Sequence, residues 1–420
     1  MKIGSGATPR GGKDAYNESG EYSLVRSQNI LDFTFSKYGL AFINEDQASK
    51  LNNVALEERD ILLNITGDSV ARVCQIPKEI LPARVNQHVA IIRPNPNILN
   101  PEFLKYYLLN PKFKEYMLML SSSGATRNAI TKGMIEEFEI EAPDLPTQKA
   151  IAEILSSLDD KIELNNQINQ NLEALAQAIF KQWFVNFEFP NENGEPYKSS
   201  GGEMVDSELG EIPKGWKIGS LGELAKVSNG YAFKSRDFQD SGENAVLKIK
   251  NINGKVVDVE NTQFIPYSVA KTVNEKFKIS EGEILIAMTG AEVGKIGITP
   301  MSKNSLFLNQ RVGKFIPSIS DSEIFIFTFF NSFNLTEEVR SRALGSAQPN
   351  ISSNGIDSIK CIIPNPRIID EFIKIVGDSY PIFLNNWEEN QNLKNLRDTL
   401  LPKLISGELK VNQFEKEVYG

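Results

Sequence analysis

Two glycine-containing segments of this chain approach a phosphate-binding loop but lack residues that such a loop needs. "GAEVGK", at residues 290–295, has three residues between its glycines, and Ile296 follows where a P-loop requires Ser or Thr. "GSGATPRGGKD", at residues 4–14, has Ala7 where the first glycine of the motif belongs. Both segments are therefore expected to be tight turns between strands, and not nucleotide sites.

Catalytic and metal-binding side chains are scarce in the sequence. His88 is the only histidine, and Cys74 and Cys361 are the only cysteines, so a histidine-based triad or a site rich in His or Cys cannot be built. Carboxylates are plentiful but show no catalytic spacing, and no strand-linked GxGxxG or amino-methyltransferase motif is present. We therefore expect no enzyme activity from this chain alone, no cofactor and no metal.

Short loops carry polar and basic side chains of the types that reach the phosphates and base edges of DNA. The formal net charge of −9 argues against a general coat on nucleic acid but permits local basic patches. A charged loop is also commonly just a solvated surface, so one such loop is weak evidence. The candidate DNA contacts are Thr8, Arg10, Lys13, Arg26, Thr66, Arg72, Arg127, Lys234, Lys248, Lys250, Thr289, Lys295 and Gln348.

These loops recur because the chain contains two copies of one module. "VNQHVAIIRP" (85–94) matches "LNQRVGKFIP" (308–317), and "DILLNITGDSVARVCQIP" (60–77) matches "EILIAMTGAEVGKIGITP" (283–300), each 223 positions later. A period that long indicates a duplicated domain and not a solenoid. Runs such as "DILLNIT" are typical of strands, whereas "PEFLKYYLLNPKFKEYMLML" is typical of helix, so each module is predicted to mix both.

A long amphipathic helix is predicted after each module. Its apolar positions step by four and three residues, as in a coiled-coil seam, and two asparagines interrupt each seam. Antiparallel pairing of residues whose numbers sum to 555 places Asn165 against Asn390 and Asn169 against Asn386. Asparagine in such a seam costs stability but fixes the register. The alternative is two separate helices, each packed on its own module.

Two irregularities are expected from the sequence. Gly377 and Pro381 lie near the start of the second helix and predict a kink there, or a regular helix only after Pro381. The second module begins with "GWKIGSLGELA" (215–225), for which the first module has no counterpart. Either the first module is naturally shorter, or its amino-terminal element is missing.

The sequence resembles the specificity subunit of type I restriction–modification systems. The resemblance is carried by "KQWFVNFEFP" followed by "GEMVDSELGEIPKGW", by "LPTQKAIAEILSSLDDKIELNNQ" in the central helix, and by "LLPKLISGEL" near the carboxyl terminus. It implies an α+β fold with two target-recognition domains separated by two long helices that form an antiparallel coiled coil. Each domain would recognise one half of a bipartite DNA site.

The same resemblance implies partners. The helices would set the spacing of the half-sites and dock two methyltransferase subunits, and restriction subunits would join the complex. S-adenosylmethionine and ATP would bind those partners, and not this chain. The implied segments are target-recognition domain 1 at 1–145, a central helix at 146–189, a linker at 190–212, target-recognition domain 2 at 213–365, a carboxyl-terminal helix at 366–406 and a tail at 407–420.

Two other functions compete with this one. A freestanding nuclease or fused methyltransferase is disfavoured by the missing motifs, and a duplicated adaptor that binds protein or glycan remains open. The apolar run "IFIFTFF", at residues 324–330, is too short to span a bilayer. Because two cysteines are few for a secreted disulfide scaffold, a cytoplasmic location is expected.

Overall fold

The chain divides into two compact units in the computed structural model, which describes residues 1–122, 128–343 and 349–411, apart from the side chain of Lys13. Unit 1 comprises Met1–Glu163 and Gln391–Gly420, and unit 2 comprises Leu164–Asn390. Each unit contains one copy of the repeated module together with parts of both long helices.

The strands of unit 1 form a larger antiparallel sheet, in the order β1-β7-β4-β5, and a smaller mixed sheet, in the order β3-β2-β6. Alternation along the fully buried strand β4 explains the arrangement, because Ile61 and Leu63 face the core under the helices while Leu62 faces the core of the smaller sheet. The strands are β1 (Lys2–Ser5), β2 (Tyr22–Val25), β3 (Ala41–Ile43), β4 (Ile61–Asn64), β5 (Val73–Gln75), β6 (Ala83–Val85) and β7 (Val89–Arg93).

The helices of unit 1 follow ordinary start signals. The Asn100 side chain accepts a hydrogen bond from Phe103 N–H at 2.8 Å, and Pro101 occupies the first helical position, so α2 begins there. Phe103 and Tyr106 are then fully buried in the main core. The helices are α1 (Glu45–Lys50), α2 (Pro101–Leu109), α3 (Pro111–Ser122), α4 (Lys132–Glu136) and the long α5 (Leu145–Phe180), which continues into unit 2.

Unit 2 repeats the sheets of unit 1. Its larger sheet has the order β11-β18-β15-β16, and its second sheet has the order β13-β12-β17-β14, in which β12 and β17 are parallel. The strands are β8 (Met204–Val205), β9 (Ile212–Pro213), β10 (Lys217–Ser220), β11 (Ala225–Asn229), β12 (Asn244–Leu247), β13 (Gln263–Ile265), β14 (Lys278–Ile279), β15 (Ile284–Ala287), β16 (Ile296–Ile298), β17 (Ser305–Leu308), β18 (Val312–Pro317) and β19 (Lys360–Ile363).

The helices of unit 2 include the run "IFIFTFF", which forms the buried centre of α8. Among the described residues, no helix is long and apolar enough to cross a membrane. The helices are α6 (Leu221–Leu224), α7 (Tyr267–Ala270), α8 (Glu323–Ser332), α9 (Leu335–Ala343), α10 (Ser353–Asp357), α11 (Pro366–Val376) and α12 (Ser379–Ile405), the last of which continues into unit 1.

Matching strand orders confirm the α+β duplication predicted from the sequence. The segment "GWKIGSLGELA" supplies β10 and α6 in unit 2, and β10 pairs with β19. In unit 1 the corresponding segment after α4, at residues 139–142, is not assigned as a strand. The pairing partner that β10 provides in unit 2 therefore has no equivalent among the described residues of unit 1.

The two long helices differ in detail from the sequence prediction. The regular part of α5 ends at Phe180 and a π-helical turn follows at Lys181–Val185, so residues 186–189 lie beyond the central helix. The carboxyl-terminal helix is two helices, α11 and α12, which are separated at Gly377 and Asp378. Regular helix resumes before Pro381, and not after it, because proline is tolerated in the first turn of a helix.

The asparagines of the seam lie in the antiparallel register that pairs residues summing to 555. Asn165 Nδ2 donates to Asn390 Oδ1 at 3.0 Å, and Asn386 Nδ2 donates to Asn169 Oδ1 at 2.9 Å. At the end of α5, the rings of Trp183 and Phe372 have centroids 6.3 Å apart, again a pair that sums to 555. The helices therefore form an antiparallel coiled coil.

A buried charged network lies beside the coiled coil in unit 1. Asp159 accepts hydrogen bonds from Tyr106 Oη at 2.6 Å and Arg397 Nη1 at 2.8 Å, and Lys105 Nζ lies 3.5 Å from the same carboxylate. The Arg397 guanidinium also lies over the Phe33 ring, 3.4 Å from its centroid. Burial lowers the pKa of Lys105, against the pull of Asp159, and burial together with the Asp159 charge raises the pKa of Tyr106.

The matching place in unit 2 is an apolar pocket. By the offset of 221 positions that relates the helices of the two copies, Phe327 and Tyr380 occupy the positions of Tyr106 and Asp159, and Ala176 occupies the position of Arg397. Together with Leu172 and Phe383 they line this pocket. The Tyr380 hydroxyl donates a hydrogen bond to Gly282 O, which does not line this pocket, at 2.6 Å. The positions are preserved, but ionic contacts in unit 1 are replaced by apolar ones in unit 2.

Candidate nucleic-acid interface

Four loops converge at the same place in each unit, and they bring the repeated sequence motifs together. In unit 1 they are residues 6–8 after β1, Thr66 after β4, residues 87–88 between β6 and β7, and residues 129–130 before α4; we call this cross-loop site 1. In unit 2 they are residues 230–232, 288–289, 310–311 and 350–352; we call this cross-loop site 2. In both sites the loop after the first strand of the larger sheet is held by a backbone hydrogen bond to the strand that follows the turn between the two sheets: Gly6 N–H donates to Val89 O at 3.1 Å, and Gly230 N–H donates to Val312 O at 3.2 Å.

Glycine is required where the first loop crosses the turn between the two sheets. A Cβ atom on Gly6 would lie 1.7 Å from Asn86 O, and one on Gly230 would lie 2.2 Å from Asn309 O. Both distances are far below van der Waals contact with a backbone atom. The segments "KIGSG" (2–6) and "KVSNG" (226–230), which occupy equivalent places in the two copies, therefore end in glycine because two backbones touch there.

Backbone hydrogen bonds repeat across the two sites. Ile65 N–H donates to His88 O at 3.0 Å, and Met288 N–H donates to Arg311 O at 3.1 Å. Ile130 N–H donates to Ile65 O at 2.9 Å, and Ile351 N–H donates to Met288 O at 3.0 Å. The same frame is therefore built twice, and side chains alone distinguish the sites.

In site 1 the polar side chains hydrogen bond to one another. The Thr8 hydroxyl lies 2.6 Å from Gln87 Oε1, the Gln87 amide nitrogen 3.0 Å from His88 Nε2, and His88 Nδ1 2.6 Å from Thr66 Oγ1. An amide nitrogen can only donate, so Nε2 accepts, and the proton of a neutral imidazole is on Nδ1 and faces Thr66. Site 1 therefore carries a chain of four hydrogen-bonded side chains.

Site 2 is an open polar cleft with an empty volume of about 710 Å³. Amide and hydroxyl side chains line it together with Arg311, whose side chain is exposed. The lining residues are Asn229, Gly230, Ala232, Met288, Thr289, Gln310, Arg311, Asn350, Ile351 and Ser352. A cleft with amide donors and acceptors and one guanidinium suits the edge of a base or a phosphate.

The structure brings three of the sequence-predicted contacts into these sites. Thr8 and Thr66 belong to site 1, and Thr289 to site 2. Thr289 is only 5% exposed, which leaves its side chain little surface for a duplex. Arg72 lies beyond the turn at Thr66-Gly67, and Lys295 lies beyond the equivalent Thr-Gly turn at residues 289–290, where it forms an ion pair with Glu292.

Other predicted contacts already have partners within the chain. The Arg26 guanidinium donates to Gly39 O and lies over the Tyr16 ring, and the Lys248 ammonium donates to Gln263 Oε1 and lies over the Phe238 ring. Burial, and then the nearby Lys250 charge, lower the pKa of Lys248. Arg10, Lys234 and Lys250 are exposed. Arg127, Gln348 and the side chain of Lys13 lie outside the described residues.

Part of the repeat around Arg26 and Lys248 is structural. The buried Asn29 and Asn251 follow these residues in "VRSQNI" and "LKIKNI", and their side chains accept from the backbone N–H of Arg26 and Lys248 at 3.0 and 2.9 Å. Each asparagine also donates to a backbone carbonyl at 2.9 Å, of Ser36 or Asp258. The recurrence of these two motifs is therefore explained by the loop that their asparagines stabilise. It does not by itself indicate a DNA contact.

Four residues of the cross-loop sites were missed as candidate contacts: Gln87, His88, Gln310 and Arg311. They occupy the strongest motif of the repeat, "VNQHVAIIRP" and "LNQRVGKFIP". The signal was the exchange of His for Arg between an Asn-Gln pair and a valine that both copies share. Within the described ranges, no group of three or more His, Cys, Asp or Glu side chains is placed to hold a metal ion.

The family model described as type I restriction modification DNA specificity domain matches this chain twice, at residues 1–174 and 213–379. The chain belongs to this family. The two matches contain cross-loop sites 1 and 2, respectively, and they agree with the resemblance noted from the sequence.

Relatives of known name share this family across most of their length. The chain is 27% identical over 459 positions to the type I restriction enzyme HindI specificity subunit of Haemophilus influenzae, covering 93% of this chain and 99% of that protein. It is 28% identical to the MjaIX specificity subunit of Methanocaldococcus jannaschii, covering 79% and 74%. The S subunit of a type I restriction-modification system from M. genitalium has the same fold, with a TM-score of 0.59 at 16% identity over 96% and 93% of the two chains.

Proposed function

We propose that this chain is the DNA-recognition subunit of a type I restriction–modification complex and acts in the cytoplasm. Each of its two target-recognition domains recognises one half of a bipartite DNA site. The chain is not an enzyme; methylation and cleavage reside in the methyltransferase and restriction subunits that it recruits. The coiled coil sets the spacing of the half-sites and docks two methyltransferase subunits.

The duplicated cross-loop site is the observation that carries this proposal. The same four-loop frame occurs once in each unit, and each copy presents different polar side chains. A repeated frame with different side chains suits a protein that must recognise two different short sequences at once. The two copies of the module also give one asymmetric chain two similar surfaces, so two identical methyltransferase subunits could be bound by it.

Methylation by the assembled complex tests the proposal. The chain is co-purified with the methyltransferase subunits of its own system and supplied with S-adenosylmethionine and genomic DNA, and the methylated positions are mapped. We expect one bipartite sequence with a fixed spacer. Methylation by the chain alone, or binding without any sequence preference in the complex, would contradict the proposal.

Exchange of one module tests whether the two target-recognition domains recognise DNA independently. Replacing residues 6–142 with the corresponding residues of a relative should change one half of the methylated sequence and leave the other half and the spacer intact. Thermal unfolding of the exchanged chain serves as the control for folding. A change in both halves would show that the domains do not recognise DNA independently.

A further inference from the structure

The turn between β17 and β18 presents two polar side chains on a backbone that is held from both sides. Gln310 N–H donates to Tyr231 O at 2.9 Å, and Arg311 O accepts from Met288 N–H at 3.1 Å. Both side chains are exposed although their backbone is fixed. A rigid backbone under exposed polar side chains is the arrangement that precise recognition requires.

Arg311 differs from those cations of the candidate interface that already have a partner within the chain. Lys295 is paired with Glu292, and Arg26 donates to the Gly39 carbonyl. In the part of the chain that the structure describes, the Arg311 guanidinium has neither an ion pair nor a hydrogen bond. Its donors are therefore available to a ligand without first breaking a contact within the protein.

The surroundings of Arg311 favour a ligand rich in hydrogen-bond acceptors. The described lining of site 2 contains no carboxylate, although the chain carries an acidic excess overall. The amides of Asn229, Gln310 and Asn350 are the other polar groups at its rim. A planar guanidinium fork matches O6 and N7 of guanine, and an amide matches the donor and acceptor of adenine.

We propose that Gln310 and Arg311 recognise base edges in the half-site of unit 2, with Arg311 directed at a guanine, and that Gln87 and His88 hold the matching position in unit 1. The inference rests on the proposed function and adds to it the residues that determine specificity. It also predicts that the two sites differ in what a bound base must displace. Gln87 and His88 are bonded to Thr8 and Thr66 in the free chain, so recognition there exchanges existing hydrogen bonds, whereas Arg311 gains new ones.

The test uses the full chain assembled with its methyltransferase subunits and a library of duplexes randomised in both half-sites. Three variants are compared with the wild type: Arg311→Ala, Arg311→Lys and His88→Ala. Lysine keeps the charge but lacks the two-pronged fork, so it separates base recognition from phosphate binding. Arg367→Ala, at an exposed arginine paired with Glu371 on α11, is the matched control.

We expect Arg311→Ala and Arg311→Lys to reduce discrimination at one or two positions of the unit 2 half-site by about 10- to 100-fold, with the other half-site unchanged. His88→Ala should relax only the unit 1 half-site, by a smaller factor. Because Arg311 is exposed, its variants should keep the melting temperature of the wild type.

Three results would overturn the inference. Equal loss of methylation on all duplexes, with lysine restoring it, would assign Arg311 to phosphate binding. Unchanged discrimination in Arg311→Ala would place the turn away from the bases. A wild-type complex with no bipartite preference would overturn the proposed function itself, and this inference with it.

Discussion

Units 1 and 2 stabilise matching positions beside the coiled coil in opposite ways. Unit 1 buries the network of Tyr106, Asp159 and Arg397, whereas unit 2 places Phe327, Tyr380 and Ala176 around an apolar pocket. A buried ion pair is often no more stabilising than an apolar group of the same volume, but removing one partner is costly. Duplication has therefore preserved the position of the contact, and not its chemistry, and the two units should differ in their sensitivity to substitution.

The cross-loop sites differ in the same manner. Their backbone hydrogen bonds match, but site 1 closes with a chain of side-chain hydrogen bonds through His88, and site 2 stays open around Arg311. The frame and the side chains on it are thus independent properties. Substitutions that disturb the backbone contacts of the frame should affect folding. Substitutions of the side chains that the frame presents should affect recognition.

The largest effect is expected from Arg397→Ala, which gives unit 1 the residue found at this position in unit 2. The change leaves the mostly buried Asp159 with fewer partners and removes the stacking on Phe33. We expect a loss of about 3–5 kcal/mol in the free energy of unfolding, measured by chemical denaturation.

Arg367→Ala is the control for that prediction, because its ion pair with Glu371 is exposed. It should change the free energy of unfolding by less than about 1 kcal/mol. Equal changes in the free energy of unfolding for Arg397→Ala and Arg367→Ala would show that the buried network stabilises unit 1 no more than an exposed ion pair does.

The next effect concerns the Thr-Gly turns, where Arg72 and Lys295 are equivalent by the repeat. Arg72 has no side-chain hydrogen bond among the described residues, whereas Lys295 is paired with Glu292. Arg72→Ala should weaken DNA binding by the assembled methyltransferase by about 1–3 kcal/mol, and Lys295→Ala by less, because its charge is partly neutralised already.

Titration on matched and single-mismatch duplexes at several salt concentrations distinguishes the two roles of Arg72. Base recognition would relax one position of the first half-site, whereas phosphate binding would lower affinity uniformly and reduce the salt slope by about one. Unchanged affinity and salt slope in both variants would place these turns away from DNA.

The smallest effect on stability is expected from changing Asn165 and Asn390 together to leucine. Asn165 Oδ1 is buried without a hydrogen-bond partner among the described residues. The double substitution should therefore leave the free energy of unfolding unchanged or raise it by about 1 kcal/mol. Self-association or a mixture of registers should appear instead, measured by analytical ultracentrifugation. Asn171→Leu, at an exposed position of α5, is the control, and a uniformly monomeric double variant would refute a role in register.

Much of the fold was predictable because the sequence contains two copies of the same module. A constant offset between motifs marks the duplication, and the Asn pairs at a constant sum mark the antiparallel register. The charged network was not predictable, since Tyr106, Asp159 and Arg397 are brought together only by folding. The parallel pairing of β2 with β6 was equally hidden, because strands of three or four residues carry little pattern of their own.

The candidate interface was predictable only in part, because sequence reasoning weighted loops by charge. That weighting selected Arg26 and Lys248, which are engaged within the chain, and passed over Gln310 and Arg311, which occupy an open cleft. Exposure and partners decide whether a basic residue is free to bind, and both are set by tertiary contacts.

The two glycines at the loop crossings have a consequence for how such proteins diversify. Because Gly6 and Gly230 let two backbones touch, the position of the neighbouring turn is set by main-chain contacts and not by the side chains on it. Evolution can then replace those side chains one at a time without refolding the domain. New target sequences should arise by point substitution beside an unchanging glycine, as well as by wholesale exchange of modules.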